Sequence, residues 1–251
     1  MSTPFDLSGR TAVVTGGGRG LGLGISNALL EAGARVIVFG RRPAAAELTA
    51  RGQVLGRQVQ FVKLDLADSE AIASVARRVL STQRVDILVN NAGTQDRYPA
   101  VDFPLQAWDR VLDVNLRAVF QLCQLFGAPM LERGAGKIVN LASLLSFQGG
   151  MTVPAYAASK GAVAQLTKAL CNEWAGRGVN VNAIAPGYMD TDMNTALLAD
   201  PVRMEQLSMR IPAGRWGQPQ DIGDVVVFLA SQAAAYVHGQ VLAVDGGWMA
   251  R

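Results

Sequence analysis

Seven short runs of β-branched and aliphatic residues recur along the chain, and their spacing constrains the fold more than any other feature. They are TAVVT (11–15), RVIVF (35–39), VQFVKL (59–64), VDILVN (85–90), GKIVNLA (136–142), VNVNAIA (179–185) and QVLAVD (240–245). Each is almost continuously apolar rather than alternating. Strands of that kind are buried on both faces, as in parallel sheets covered by helices. Helix-like stretches fill the intervals, over 20–32, 44–54, 69–81, 106–132, 155–176, 196–209 and 219–231. The alternation implies βαβ units with right-handed crossovers. The expected architecture is α/β, a doubly wound, seven-stranded parallel sheet with helices on both faces. No proline- or serine-rich linker interrupts it, so residues 1–251 read as one domain. The stretch 187–216, less regular and rich in Met, Thr and Pro, follows a strand's carboxyl end and is a candidate lid.

Composition narrows the function. Half of the 251 residues are apolar, enough for a sizeable core without disulfides. The two cysteines, Cys123 and Cys171, lie far apart in apolar helical patterns and read as small buried hydrophobes; no metal-ligand spacing is present. A net charge of +3, with basic residues scattered singly or in pairs, argues against nucleic acid as a partner. The first ten residues carry no apolar run of a secretory signal, and no stretch approaches the roughly 20 apolar residues of a membrane span. A cytoplasmic protein acting on a small molecule, with no membrane partner, is the expectation.

Between the first strand and the first helix stands TGGGRGLGLG, with six glycines in ten residues. A helix N-terminus offers unpaired N–H groups and partial positive charge, and glycines let the backbone approach a pyrophosphate. This is the context of a Rossmann-type dinucleotide site. The usual G-x-G-x-x-G spacing is absent; Gly16, Gly20 and Gly22 give G-x-x-x-G-x-G. The frame 18/22/24 also fits but starts further beyond the strand, and a loop glycine-rich only for turning is the plain structural alternative.

Further motifs decide the matter. NNAG (90–93) ends the fourth strand, Asn115 lies in DVNL, Ser143 follows the fifth strand, and Tyr156-x-x-x-Lys160 opens the next helix. PG (186–187) with Thr191 follows the sixth strand and VDGG (244–247) the seventh. In this order they resemble the short-chain dehydrogenases/reductases over nearly the whole chain. The resemblance implies an NAD(P)-dependent oxidoreductase with Asn115, Ser143, Tyr156 and Lys160 as its catalytic set. It further implies cofactor contacts from Gly16, Gly18, Arg19, Gly20, Leu21, Gly22, Asp65, Leu66, Asn91, Ala92, Gly93, Tyr156, Lys160, Pro186, Gly187 and Thr191. Asp65 would accept from the adenine amine, and Asp68 is the better helix N-cap. Asn90 would support the central sheet. The family also pairs the helices 106–132 and 155–176 between subunits, so a homotetramer is expected.

The residue types suit the chemistry. Hydride transfer to a carbonyl needs a proton at the oxygen. Tyr156 and Lys160 are one helical turn apart on one face. A tyrosine titrates near ~10, and a neighbouring ammonium is expected to lower that value. Ser143 could hold the same carbonyl oxygen; nearby Ser146 competes for the assignment, and the family's thirteen-residue spacing to the tyrosine selects Ser143. By resemblance, Asn115 would hold a water in a proton relay behind Lys160.

Cofactor choice is read at the end of the second strand, where an acid favours NAD and arginine accommodates the 2′-phosphate of NADP. Here the sequence is VIVFGRRP, with Gly40 in place of the acid and Arg41 and Arg42 following; Arg19 is a third cation within the glycine cluster. Guanidinium groups match phosphate in a bidentate fashion. NADP is expected, with NAD the alternative.

For the substrate, NLASLLSFQGG, VPAYAASKGAV, VNAIAPGYM, RIPAGRWG and VDGGWMAR resemble the family's sugar-acid dehydrogenases, of the 2-keto-3-deoxygluconate or gluconate type. That branch ends its second strand differently, without the Arg41–Arg42 pair. Arg97, Leu145, Gln148 and Tyr188 are the substrate-pocket candidates, with Met151 and Trp216 as further ones that packing would also explain. A sugar carboxylate would suit Arg97. His238, the sole histidine, stands apart from every motif, which leaves a Ser-His-Asp triad without support. Reduction of 3-oxoacyl thioesters is the competing activity. A non-catalytic dinucleotide-binding regulator would have no need of the Tyr-Lys-Ser set.

Overall fold

The computed structural model describes residues 3–44, 46–191 and 200–251. Seven strands form one sheet: β1 (Thr11–Thr15), β2 (Arg35–Gly40), β3 (Val59–Lys63), β4 (Ile87–Asn90), β5 (Gly136–Leu141), β6 (Val179–Pro186) and β7 (Val241–Val244). Their order is β3-β2-β1-β4-β5-β6-β7, and every pairing is parallel. The described helices are α1 (Gly20–Glu31), α2 (Ala46–Val54), α3 (Ser69–Thr82), α4 (Leu105–Leu112), α5 (Ala118–Glu132), α6 (Pro154–Trp174), α7 (Pro201–Arg210) and α8 (Pro219–Ala230).

The apolar runs are continuous because alternate residues of each strand serve opposite cores. Ala12, Val14, Val36, Val38, Ile87 and Val89 pack with Ile25 and Leu29 of α1 and Ile222 and Val226 of α8. Val13, Ile37, Phe39, Leu88 and Ile138 pack with Ile72 of α3, Leu122 and Phe126 of α5 and Val163 of α6. Both faces are thus dry over the central strands, while the outer strands β3 and β7 are partly exposed, as edges with a neighbour on one side only. The order in which successive strands are added reverses between β1 and β4, with β2 and β3 to one side and β5 to β7 to the other. The crevice at the carboxyl ends of those two strands is the place where open α/β sheets bind ligands.

Two departures from the expected elements have identifiable causes. β4 starts at Ile87 rather than 85, and just before it the Asp86 carboxylate takes the Thr11 N–H at 3.1 Å and pairs with Arg84 and Arg10. The stretch 106–132 is not one α-helix. A π-helical turn over Asp113–Arg117 separates α4 from α5, closed by the Ala118 N–H donating to the Asp113 carbonyl five residues back. Periodicity over a long window does not reveal a single extra residue. The expected helix 196–209 is seen from 201, and its residues 196–199 lie outside the described ones.

In the candidate lid, GRWG makes a clasp. Arg215 binds Asp221 of α8 with both terminal guanidinium nitrogens, at 2.7 and 2.8 Å. That pair and the Gln218 N–H hold the Asp221 carboxyl down at about 2. No helix among the described residues is long and apolar enough to cross a membrane.

Candidate active site

The glycine turn leaves β1 with the Gly16 N–H donating to the Phe39 carbonyl at 2.7 Å and then enters α1. Arg19 at the N-cap makes no side-chain cap, and no acid stands in the first turn. Such a helix end concentrates unpaired N–H groups and positive potential, which suits a pyrophosphate.

The turn is fixed from beneath by the end of β4. Asn91 Nδ2 donates to the Thr15 carbonyl at 2.9 Å, and the Ala92 N–H donates to Thr15 Oγ1 at 3.0 Å. Gly22 is forced by this closeness, because a Cβ there would sit 2.1 Å from the Gly16 oxygen and 2.6 Å from Asn91 Nδ2. Gly18 backs onto Ala44, 2.8 Å from where its Cβ would be, which brings the loop carrying Arg41 and Arg42 against the turn. Arg19, Arg41 and Arg42 are exposed, and no ion pair among the described residues involves them. Leu21 lies in the first turn of α1 and is half-buried. Pro186 ends β6 and Gly187 presses on Asp245, while half-buried Thr191 lies 3.9 Å from where a Cβ on Gly20 would stand. Asp65 is exposed and closes a turn by accepting from the Ala67 N–H, with Leu66 buried beside it. Asp68 caps α3 through the Ala71 N–H.

Ser143, Tyr156 and Lys160 meet where β5 ends and α6 begins. The Ser143 hydroxyl lies near enough to the Tyr156 phenol to lower its pKa and accepts from the Leu145 N–H at 3.2 Å. Lys160 is 4% exposed, donates to the Leu141 carbonyl, and holds its ammonium 5.7 Å from the centre of the Tyr156 ring.

Burial raises the Tyr156 pKa, and the Ser143 hydroxyl opposes that rise. Burial also pushes Lys160 down to about 8. The ammonium is turned to the Leu141 carbonyl, and enclosure disfavours charge on both groups.

Asn115 sits in the π turn and is fully buried. Its amide accepts from the Thr94 N–H at 2.8 Å and donates to the Thr94 carbonyl at 2.9 Å and to Ser159 Oγ at 3.1 Å. Both amide protons are therefore spent on clamping the loop after β4 to α6. Asn115 Oδ1 and Lys160 Nζ flank one small space, 3.4 and 3.8 Å from where a Cβ on Gly93 would sit. Thr94 and Ser159 escaped the sequence reading. A polar Ser159 on the inward face of an Ala-rich helix was the available signal. Asn90 donates to Asn140 Oδ1 at 2.9 Å, and Asn140 to Thr167 at 3.0 Å, a buried polar chain tying β4 through β5 to α6.

The substrate candidates fall into two groups. Arg97 is exposed and has no ion-pair partner among the described residues; its loop is tied across the site by the Tyr98 N–H donating to the Thr152 carbonyl at 3.0 Å. Gln148, Tyr188 and Trp216 gather at Trp248. The Tyr188 ring lies 4.6 Å from Trp248 and 5.4 Å from Trp216, and Gln148 Oε1 accepts from the Trp248 indole at 3.5 Å. Trp216 is buried and pinned to Ser208, so packing accounts for it. Met151 is 87% exposed, and Leu145 fills the space at Gly150.

Other titratable groups lie elsewhere. His238 packs at the amino end of β6. Asn180 Oδ1 accepts from Lys137, so its amide nitrogen faces His238 Nε2, 3.2 Å away, as donor. Both cysteines are free and buried, with the Cys123 thiol pushed up to about 12 by burial. No metal-ligand cluster occurs among the described residues.

A phenol next to an ammonium, at the edge of a cradle shaped for a dinucleotide, belongs to the NAD(P)-dependent oxidoreductases. Residues 16–249 match the family model described as Enoyl-(Acyl carrier protein) reductase. The 2-dehydro-3-deoxy-D-gluconate 5-dehydrogenase of Bacillus subtilis (strain 168) is 52% identical over 98% of this chain and 97% of its own. A crystal structure from Beutenbergia cavernae, with bound NADP at low occupancy, has a TM-score of 0.96 and 53% identity, covering 99% of this chain and 100% of that one. Gluconate 5-dehydrogenase from Burkholderia cenocepacia J2315, in complex with NADP and tartrate, has a TM-score of 0.94 and 40% identity over 99% and 98%. The chain belongs to the short-chain dehydrogenase/reductase family.

Proposed function

We propose that the chain is a sugar-acid dehydrogenase, moving a hydride between NADP and a keto/hydroxy carbon of a 2-keto-3-deoxygluconate- or gluconate-type substrate. The observation that carries the reading is the convergence of Ser143, Tyr156 and Lys160 at the carboxyl end of the sheet, the end that also holds the glycine cradle. The 52% identity to an enzyme named for a deoxy-keto sugar acid supports the substrate class. The NADP held by two similar structures supports the cofactor.

NADPH, when bound, supplies the hydride for reduction, and NADP accepts it in the reverse direction. The chain's own residues manage the proton. Ser143 already accepts from Leu145, so it turns its hydroxyl proton to the substrate carbonyl oxygen and holds it near Tyr156. The phenol gives its proton to that oxygen as the carbon is reduced, and takes it back in oxidation. Lys160 stabilises the phenolate left behind. Asn115 completes the relay. One lone pair of its Oδ1 remains for a water in the space it shares with Lys160. Arg41 and Arg42, with Arg19, take the 2′-phosphate; Arg97 takes the substrate carboxylate, with Leu145, Gln148 and Tyr188 shaping the pocket. Residues 1–251 act as one cytoplasmic domain, with 187–216 as its lid.

The test is absorbance of reduced nicotinamide, with NADPH and NADH in parallel, against keto sugar acids and one 3-oxoacyl thioester. Fast NADPH consumption with a keto sugar acid is expected. Turnover of the thioester alone would leave the proton chemistry standing and remove the sugar-acid substrate. Replacing Arg41 and Arg42 by alanine should raise the KM for NADPH about 10- to 100-fold, the value of exposed charge-assisted hydrogen bonds, with NADH nearly unaffected. An equal effect on both cofactors would mean that the pair does not read the phosphate.

A homotetramer is the expected assembly. Leu105 of α4 and Phe120 of α5 are 73% and 46% exposed, apolar surface a partner would cover. Light scattering should return four chain masses; a single chain mass would refute it.

A further inference from the structure

We infer that Ser146, which the proton chemistry above does not use, is a positioning residue that fixes the distance between Ser143 and the helix bearing Tyr156 and Lys160. The inference rests on the acid/base reading of Tyr156 and extends it to a residue outside the catalytic set.

The geometry is a single hydroxyl spanning two elements. Ser146 Oγ donates to the Lys160 carbonyl at 2.7 Å and accepts from the Ser143 N–H at 3.3 Å. One partner is the backbone of the residue that orients the substrate oxygen. The other is the backbone of α6, one turn beyond Tyr156. Between them the chain makes a single 3-10 turn, Leu144–Ser146, in which Ser143 and Ser146 cap each other reciprocally. A three-residue turn has almost no rigidity of its own. Its placement against α6 therefore depends on the Ser146 bridge and on buried Leu144.

Removing the hydroxyl has unequal consequences at its two ends. The Lys160 carbonyl lies within α6 and keeps its helical acceptor role. The Ser143 N–H loses the acceptor that closes the capping box, so Ser143 is the end that moves. The Ser143 hydroxyl is also what pulls the Tyr156 pKa down against burial. No carboxylate or other charge counts among the causes of the Tyr156 shift. Lys160 has its ammonium on the Leu141 carbonyl, and Asp96 of the loop after β4 is paired with Arg110 at 2.6 Å. A displaced Ser143 thus has no nearby substitute, and the phenol titrates higher.

The experiment compares Ser146→Ala and Ser146→Thr with the parent, measuring kcat against pH in both directions. Cofactor affinity by fluorescence and the thermal midpoint are measured alongside. Ser146→Ala should lower kcat by about 10-fold, part of what general acid/base catalysis contributes. The pH limb assigned to Tyr156 should move to higher pH, with cofactor affinity unchanged. Ser146→Thr, which keeps the hydroxyl, should restore both rate and limb. Full activity in Ser146→Ala would overturn the inference, as would a fall in rate with the limb unmoved, which marks a purely structural role. A Tyr156→Phe enzyme that retains its activity would instead remove the acid/base reading, so the two failures are distinguishable.

Discussion

Replacing Tyr156 with phenylalanine should cost about 10²- to 10⁴-fold in kcat, the range of a lost general acid/base, while NADP binding survives nearly intact. The ring stays, so the packing at the start of α6 is preserved, and only the proton carrier and its contact with Ser143 are lost. The sign of the pH dependence follows from the site. Burial holds the phenol above its ordinary range and Lys160 at about 8. At neutral pH the phenol therefore keeps its proton and the ammonium its charge, which is the state that reduces a ketone. Oxidation needs the phenolate, so its rate should climb with pH on the alkaline side, and in Tyr156→Phe that climb should vanish. Residual activity with an unchanged profile would place the proton carrier elsewhere. Lys160 also leaves a mark on stability. Its folded pKa lies below the unfolded value of 10.5, so its burial costs stability in full below pH 8, and the cost is relieved as pH rises towards 10.5.

Gly22→Ala should severely damage the cofactor cradle. Its Cβ would stand 2.1 Å from the Gly16 carbonyl and 2.6 Å from Asn91 Nδ2, and neither group is a flexible tip. Relief requires moving the turn off the end of β4, which breaks the Asn91–Thr15 bond. Overpacking of this kind costs about 1–3 kcal/mol, more where backbone must shift. The expected outcome is a clearly lower thermal midpoint and NADP affinity reduced at least about 100-fold, read by fluorescence titration. An unchanged affinity would show that the turn is not part of the cofactor site.

That variant also shows what the sequence could convey and what it could not. The strands were legible because each carries a double-sided apolar run, as Ala12, Val13 and Val14 do for the two cores. The glycine turn was legible from its place between strand and helix. Its glycines all looked alike, yet Gly22 answers to Asn91, Gly24 to Pro219 and Gly17 to Ser26. Asn91 and Pro219 come from distant parts of the chain, so local pattern could not assign their glycines to packing. Tyr156, Lys160 and Ser143 were placed together by family order. The direction of the Lys160 ammonium, towards Leu141, is set by tertiary enclosure and has no local signature. Asn115 was read as a relay residue, and its clamp on Thr94 and Ser159 depends on an irregularity in a helix that periodicity drew as continuous.

The π turn over Asp113–Arg117 also makes chain length a determinant of chemistry. One residue rotates a helix by about 100°, since a turn takes 3.6 residues. Removing a single residue from the turn would give a smoother and locally more favourable helix. It would also swing Asn115 off Thr94, or turn α5 away from the sheet, because no single rotation satisfies both. The short piece of non-ideal backbone thus behaves as a phase shift between two helices with different duties. Substitutions can drift along either helix, while insertions and deletions between them are excluded.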